Sequence, residues 1–220
     1  MDSLEELLLH AGLQLESEPA RGLRAFLVLL EKWNARVNLT ASTGWKSVGP
    51  LLEEAVWAAR LYPHEAVTHL DIGSGAGFPA IPLRILIPRM QLDLVESRTK
   101  RCMFLETAIG ELGLGRTRVV HGRLDAFLVA ENHSWDCISW KGLKLRTQDL
   151  LRLTDRSGAH TSFWMFHGRE PAVEDAEALK RMLSLERREA CPARKGWWLS
   201  EYRKTGTQDV SRETCPEGIS

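Results

Sequence analysis

Residues 69–79 read His-Leu-Asp-Ile-Gly-Ser-Gly-Ala-Gly-Phe-Pro, an apolar run that ends in three glycines at alternate positions. Glycine lets a chain turn tightly and lets a ligand come close to the backbone. Pro79 and Pro82 then stand where the first turn of a helix tolerates proline. A strand that passes through such a turn into a helix is the opening unit of a layered α/β fold. The surrounding texture agrees with this. From Ala66 onward short apolar runs at 67–72, 91–96, 118–121, 135–140, 160–166, 185–191 and 197–203 alternate with helical stretches that begin after Gly77, Ser97, Arg146 and Pro171. Seven strands alternating with helices predict a doubly wound, mainly parallel sheet. The last strands leave no room for a long helix between them, so one of them is expected to enter antiparallel as a hairpin.

Before Ala66 the chain reads as helix throughout. Ser3 and Glu6 have capping-box spacing ahead of a short amphipathic helix through Leu9. A second helix starts near Pro19 and sets Leu23, Phe26, Leu27, Leu30 and Trp33 on one face, and a third covers 48–61. The expected organisation is a helical N-terminal extension over 1–65, an α/β unit over 66–204 and an aperiodic, flexible tail over 205–220.

The glycine loop is not a dinucleotide fingerprint. Counted from Gly73, G-x-G-x-x-G requires glycine at position 78, where Phe78 stands, and it has no use for Asp71. A D-x-G-x-G-x-G loop suits S-adenosylmethionine, which carries a cationic sulfonium and amino group and no phosphate, with Asp71 helping to hold the amino-acid end. Nineteen residues after Gly77 a second apolar run ends in Glu96, where a carboxylate can accept from both ribose hydroxyls. Taken singly, Asp71 and Glu96 are acids capping loops; around this loop they read as a nucleoside site. Asp125, after the third strand, is either an adenine neighbour or a helix N-terminal charge.

Composition removes several classes. Lys plus Arg and Asp plus Glu balance at 29 each, so the protein does not coat nucleic acid by net charge. From Ser97 to Arg123, however, six bases face two acids, a local basic surface open to a polyanion or merely solvated. The longest apolar run, from Ala25 to Leu30, is far short of a membrane span. The first twenty residues hold five acids and no Lys or Arg, unlike a targeting peptide. Cys102, Cys137, Cys191 and Cys215 form no C-x-x-C pair, and the seven histidines show no metal spacing. A cytoplasmic monomer without metal or membrane contact is the expectation. Trp45, Trp57, Trp140 and Trp164 offer ring faces for stacking, although packing is the commoner use of tryptophan.

Three passages resemble the bacterial small-subunit ribosomal RNA guanine-N7 methyltransferases, also called glucose-inhibited division protein B. They are Trp33 to Thr40 (W-N-x-x-x-N-L-T), Asp71 to Leu83 (DIGSGAGFPAIPL), and Leu94-Val95-Glu96-Ser97 through Lys100, Arg101, Phe104 and Leu105. The resemblance runs from about Leu23 to Gly168. It implies a class I S-adenosylmethionine-dependent methyltransferase fold, Rossmann-like, with a helical N-terminal extension. It also implies action on N7 of one guanosine in 16S RNA of the small ribosomal subunit. Together with the loop, it places the cofactor on Asp71, Gly73, Ser74, Gly75, Gly77, Phe78, Glu96, Ser97, Leu124 and Asp125. The acceptor is expected on Asn38, Arg98, Lys100, Arg101, Arg123, Lys141 and His167, with Lys141 as the catalytic residue. Three family stretches are altered. H-x-x-D-S stands here as Pro50-Leu51-Leu52-Glu53-Glu54, S-R-A as Trp140-Lys141-Gly142, and K-G as His167-Gly168. These departures keep open another RNA or small-molecule acceptor, or a non-catalytic protein that binds cofactor and ribonucleoprotein.

Overall fold

The computed structural model describes residues 3–205. The tail expected from Thr205 lies outside the described residues except for Thr205 itself, as does Cys215.

Three helices come first: α1 (Leu4–His10), α2 (Glu18–Asn34) and α3 (Trp45–Leu61). The Ser3 hydroxyl accepts from Glu6 N at 3.2 Å and Ser17 accepts from Ala20 N at 3.4 Å, so side-chain caps open the first two helices. α3 starts three residues earlier than the sequence implies and runs through Pro50. The α/β part follows as β1 (Thr68–Ile72), α4 (Ala80–Leu86), β2 (Gln91–Glu96), α5 (Thr99–Glu111), β3 (Thr117–His121) and α6 (Leu124–Ala130). It continues with β4 (Cys137–Lys141), α7 (Thr147–Asp155), β5 (Ser162–His167), α8 (Ala176–Met182), β6 (Leu183–Ala190) and β7 (Trp198–Lys204).

The sheet has the order β3-β2-β1-β4-β5-β7-β6. β3, β2, β1, β4 and β5 pair in parallel, and β7 enters antiparallel between β5 and β6 as the expected hairpin. The chain winds outward from β1 on one side and from β4 on the other. Such a switch point opens a crevice beyond the carboxyl ends of these two strands.

Each face of the sheet is covered. Trp164 and Phe166 of β5 join a core built with α1 to α5, while Phe163 and Met165 join Ile138, Trp140, Leu150 and Leu179 on the other face. Trp140 and Trp164 are fully buried in these cores and offer no stacking surface.

Three sequence expectations shift. The fourth strand begins at Cys137 rather than Trp135, and just before it the Asp136 carboxylate accepts from Val67 N and Thr68 N at 2.9 and 2.8 Å. The helix expected after Pro171 waits until Asp175, whose side chain accepts from Glu177 N and Ala178 N as its cap. The seven-residue α6 is not among the expected helix starts, although it carries Asp125 in its first turn, the helix N-terminal charge that the sequence left open.

Candidate cofactor groove and acceptor side

β1 delivers the chain to the crevice at Ile72. Gly73, Gly75 and Gly77 then take φ values of 72°, 57° and 80°, which L side chains rarely adopt. Gly73 N donates to Val95 O at 2.8 Å and Gly77 N to Ser74 O at 2.7 Å, so the loop folds tightly over the end of β2. Space is constrained as well. A Cβ on Gly73 would collide with Leu143 Cδ2, and one on Gly77 would lie 2.8 Å from Ile81 Cγ1.

Glu96, at the end of β2, is 4% exposed. Its Oε2 accepts from Gly75 N at 2.9 Å and its Oε1 from Arg98 N at 2.8 Å, and Arg101 Nη1 stands 3.9 Å from Oε2. Each carboxylate oxygen has two lone pairs, so these tethers orient the group and leave acceptor capacity on both oxygens. Gly73, Ser97, Arg123, Leu124 and Asp125 line a cavity of about 250 Å³ together with Leu143 and Arg146. Asp125 is ion-paired there to Arg123 and Arg146, at 3.6 Å in each case.

Asp71 lies beneath the loop, level with Ser139 of β4. Ser139 Oγ donates to Asp71 Oδ1 at 2.7 Å, and Ser74 Oγ donates to the Asp71 carbonyl at 3.1 Å. Ser139 in turn accepts from His69 Nε2 at 2.8 Å, since its own proton is spent on Asp71. Burial pushes the Asp71 carboxyl up to about 6 against the pull of these hydrogen bonds, and it holds the His69 imidazole down at about 3. Of the expected cofactor residues, Asp71, Ser74, Gly75, Gly77, Glu96 and Phe78 are not part of the cavity lining. Phe78 packs edge-on against Phe26 of α2, ring centroids 5.2 Å apart, because the loop must be anchored to the core at its far end.

On the acceptor side, Lys141 ends β4 and donates from Nζ to Glu54 Oε1 of α3. Glu54 is fully buried, and Arg194 Nη1 lies 3.6 Å from its other oxygen. Burial lowers the Lys141 ammonium, and the Glu54 carboxylate opposes that shift. Lysine retains two further N–H donors after this contact. His167 departs from its expected place. It is 3% exposed, with Nδ1 on Gly168 O and Nε2 on Ser200 Oγ, both at 2.8 Å. Nδ1 is tied to the turn just after β5 and Nε2 to β7, which leaves no ring nitrogen for an acceptor. Arg98, Lys100, Arg123 and Asn38 are exposed, and Arg101 is half-buried against the loop.

Glu54 stood in the sequence only as the last residue of the altered stretch 50–54, without a role, and Arg194 was not singled out there. Glu54 carried one usable signal, an acid among the apolar positions of α3's buried face. Arg194 carried none. Among the described residues no group of His, Cys, Asp or Glu is placed to hold a metal ion, and no helix is long and apolar enough to cross a membrane.

A mainly parallel seven-stranded sheet with an inserted antiparallel β7, a glycine loop after β1 and an acid ending β2 defines a class I methyltransferase fold. A putative O-methyltransferase from Klebsiella pneumoniae shares it, with 15% identity, a TM-score of 0.57, and coverage of 81% of this chain and 89% of that one. So does a mutant of MtNAS solved in complex with S-adenosylmethionine, at 13% identity and a TM-score of 0.58 over 83% of this chain and 74% of that one. Residues 20–190 match the GidB family, described as rRNA small subunit methyltransferase G, and the chain belongs to that family. Ribosomal RNA small subunit methyltransferase G of Streptococcus pneumoniae R6 is 32% identical over 140 residues, covering 60% of this chain and 56% of the relative. The chain thus spans about half the length of the curated relatives it matches.

Proposed function

We propose that the protein is an S-adenosylmethionine-dependent methyltransferase acting on N7 of a guanosine in small-subunit ribosomal RNA, free or within the assembled subunit, in the cytoplasm. In this reading residues 66–204 carry the chemistry and 1–65 form a helical extension. Family membership supports it, and one observation carries it: the buried Glu96 carboxylate at the end of β2, tethered to Gly75 N of the glycine loop and to Arg98 N. S-adenosylmethionine supplies a methyl on a cationic sulfonium, a leaving group already activated. The chain's own residues bind and align. Glu96 accepts from the ribose, the loop backbone borders the amino-acid end above Asp71, and Leu124 and Asp125 border the base. Guanine N7 bears a lone pair and no proton, so the acceptor side needs orientation and exclusion of water rather than a base. Lys141 offers its remaining N–H donors to the guanine O6, with Glu54 fixing where the ammonium stands.

The test is mass analysis of ribosomal RNA digests from a strain lacking the gene. Loss of one 7-methylguanosine, restored by the parent gene and not by Glu96→Ala, is the expected result; an unchanged digest overturns the reading. The Glu54–Lys141 pair favours a second reading, in which the methyl goes to another acceptor, because it spends part of Lys141 inside the fold.

A further inference from the structure

The W-N-x-x-x-N-L-T stretch plays no part in the cofactor groove. Asn34 Oδ1 accepts from Leu39 N and Thr40 N, both at 2.9 Å, so this side chain builds the turn that follows α2. Trp33 does something different. It lines a cavity of about 540 Å³ between the end of α2 and α5, with Val37 and Met103 as further apolar lining. That volume falls in the ~300–1,000 Å³ range of small-molecule sites. The Trp33 ring is braced by Phe104, centroids 6.0 Å apart at 61°, and Met103 is 51% exposed.

Lys32, Arg36 and Lys100 belong to the same lining, against one acid, Glu111. All three cations are exposed, and none has an ion pair among the described residues. An aromatic ring beside a soft thioether, bordered by free cations, matches what an unpaired nucleotide presents, a π-face with phosphates on either side. Position supports the same occupant. Lys100 lines this cavity while its neighbour Arg101, about 100° further round the helix, reaches 3.9 Å from Glu96. A strand held here therefore lies next to the cofactor loop.

We propose that this cavity holds an unpaired base of the acceptor RNA, with Trp33 and Met103 against the base and Lys32, Arg36 and Lys100 on the flanking phosphates. The inference rests on the reading of the acceptor as RNA.

The experiment measures anisotropy of a labelled single-stranded oligoribonucleotide across a salt series, for the parent, Lys32→Ala/Arg36→Ala, Trp33→Leu and Trp33→Phe. Calorimetric S-adenosylmethionine affinity serves as the control for folding. The double alanine variant should lower the log–log salt slope by about 0.7 for each cation removed. Trp33→Leu should weaken binding roughly five- to a hundredfold and Trp33→Phe much less. Should Trp33→Leu fail to fold, the two exposed cations decide. Parental affinity and slope in the double variant overturn the proposal, as does duplex RNA bound as tightly as single strand. A parent that methylates subunits while the variants bind as it does overturns the cavity alone. A parent that never methylates subunits but shows these losses overturns the function and leaves the cavity standing.

Discussion

Lys141 and Glu54 stand 87 residues apart in the chain, and the Lys141 ammonium donates into a carboxylate that has no exposure to solvent. The contact ties the end of β4 to the middle of α3, and so the α/β layer to the helices that precede it. A buried pair of this kind is a poor source of net stability, yet removing one partner strands the other charge.

Lys141→Ala should therefore cost about 3 kcal/mol of stability, the low end for a broken buried pair, because Arg194 remains 3.6 Å from Glu54. Glu54→Leu/Lys141→Met should recover that loss in a denaturant melt. If the double variant is stable and still binds S-adenosylmethionine but transfers methyl slowly, Lys141 serves the acceptor; parental turnover would reduce the pair to a structural tie. Lys141→Arg should keep the charge and at least preserve turnover.

Glu96→Ala should weaken S-adenosylmethionine binding by about 1.5–3 kcal/mol, roughly ten- to a hundredfold, through loss of a charged acceptor. Calorimetry reads this directly, and unchanged affinity would remove the ribose assignment.

Asp71 makes a pH-dependent prediction. Its folded value of about 6 lies above the ordinary 3.8, so the native state holds its proton more tightly than the unfolded chain. The stability this contributes is complete below pH 3.8 and lost as pH rises through 6. His69, held at about 3, works in the opposite direction: its cost grows as pH falls below 6.5. Comparing Asp71→Asn with the parent isolates the carboxyl. The variant should gain up to about 3 kcal/mol relative to the parent at pH 8, and less towards pH 4. Denaturant unfolding at both pH values gives the answer, and an equal difference at the two would contradict it. Cofactor affinity should fall in the same variant despite the added stability.

Gly73→Ala places a Cβ at positive φ and against Leu143. The backbone alone should cost ~1–2 kcal/mol. Leu143→Ala in the same chain should return the steric part and leave the backbone part. Thermal melts of the parent, Gly73→Ala and the double variant separate them, and no loss in Gly73→Ala would mean the loop takes another path.

All seven strands were legible to within two residues at each end, because turn residues bound each apolar run and the alternation with helices admits few topologies. α6 showed only as one of two readings of Asp125, since Leu124–Ala130 is a short helix of about two turns whose N-cap, Arg123, makes no capping bond. The glycine loop and Glu96 announced themselves through spacing, a local property. The partners of Lys141 did not, because Glu54 and Arg194 come from distant segments that only the folded chain brings together. His167 was misplaced for the related reason that its fate depends on Ser200, on a strand inserted out of sequence order.

Phe26 against Phe78 has a bearing on genetics. The residue that closes the glycine loop leans on a helix more than fifty positions upstream, within a single apolar core. Lesions at Phe26 will therefore surface in a loss-of-function screen as phenocopies of lesions in the loop. An allele map of this gene, drawn without the fold, would show two hot regions where the molecule has one.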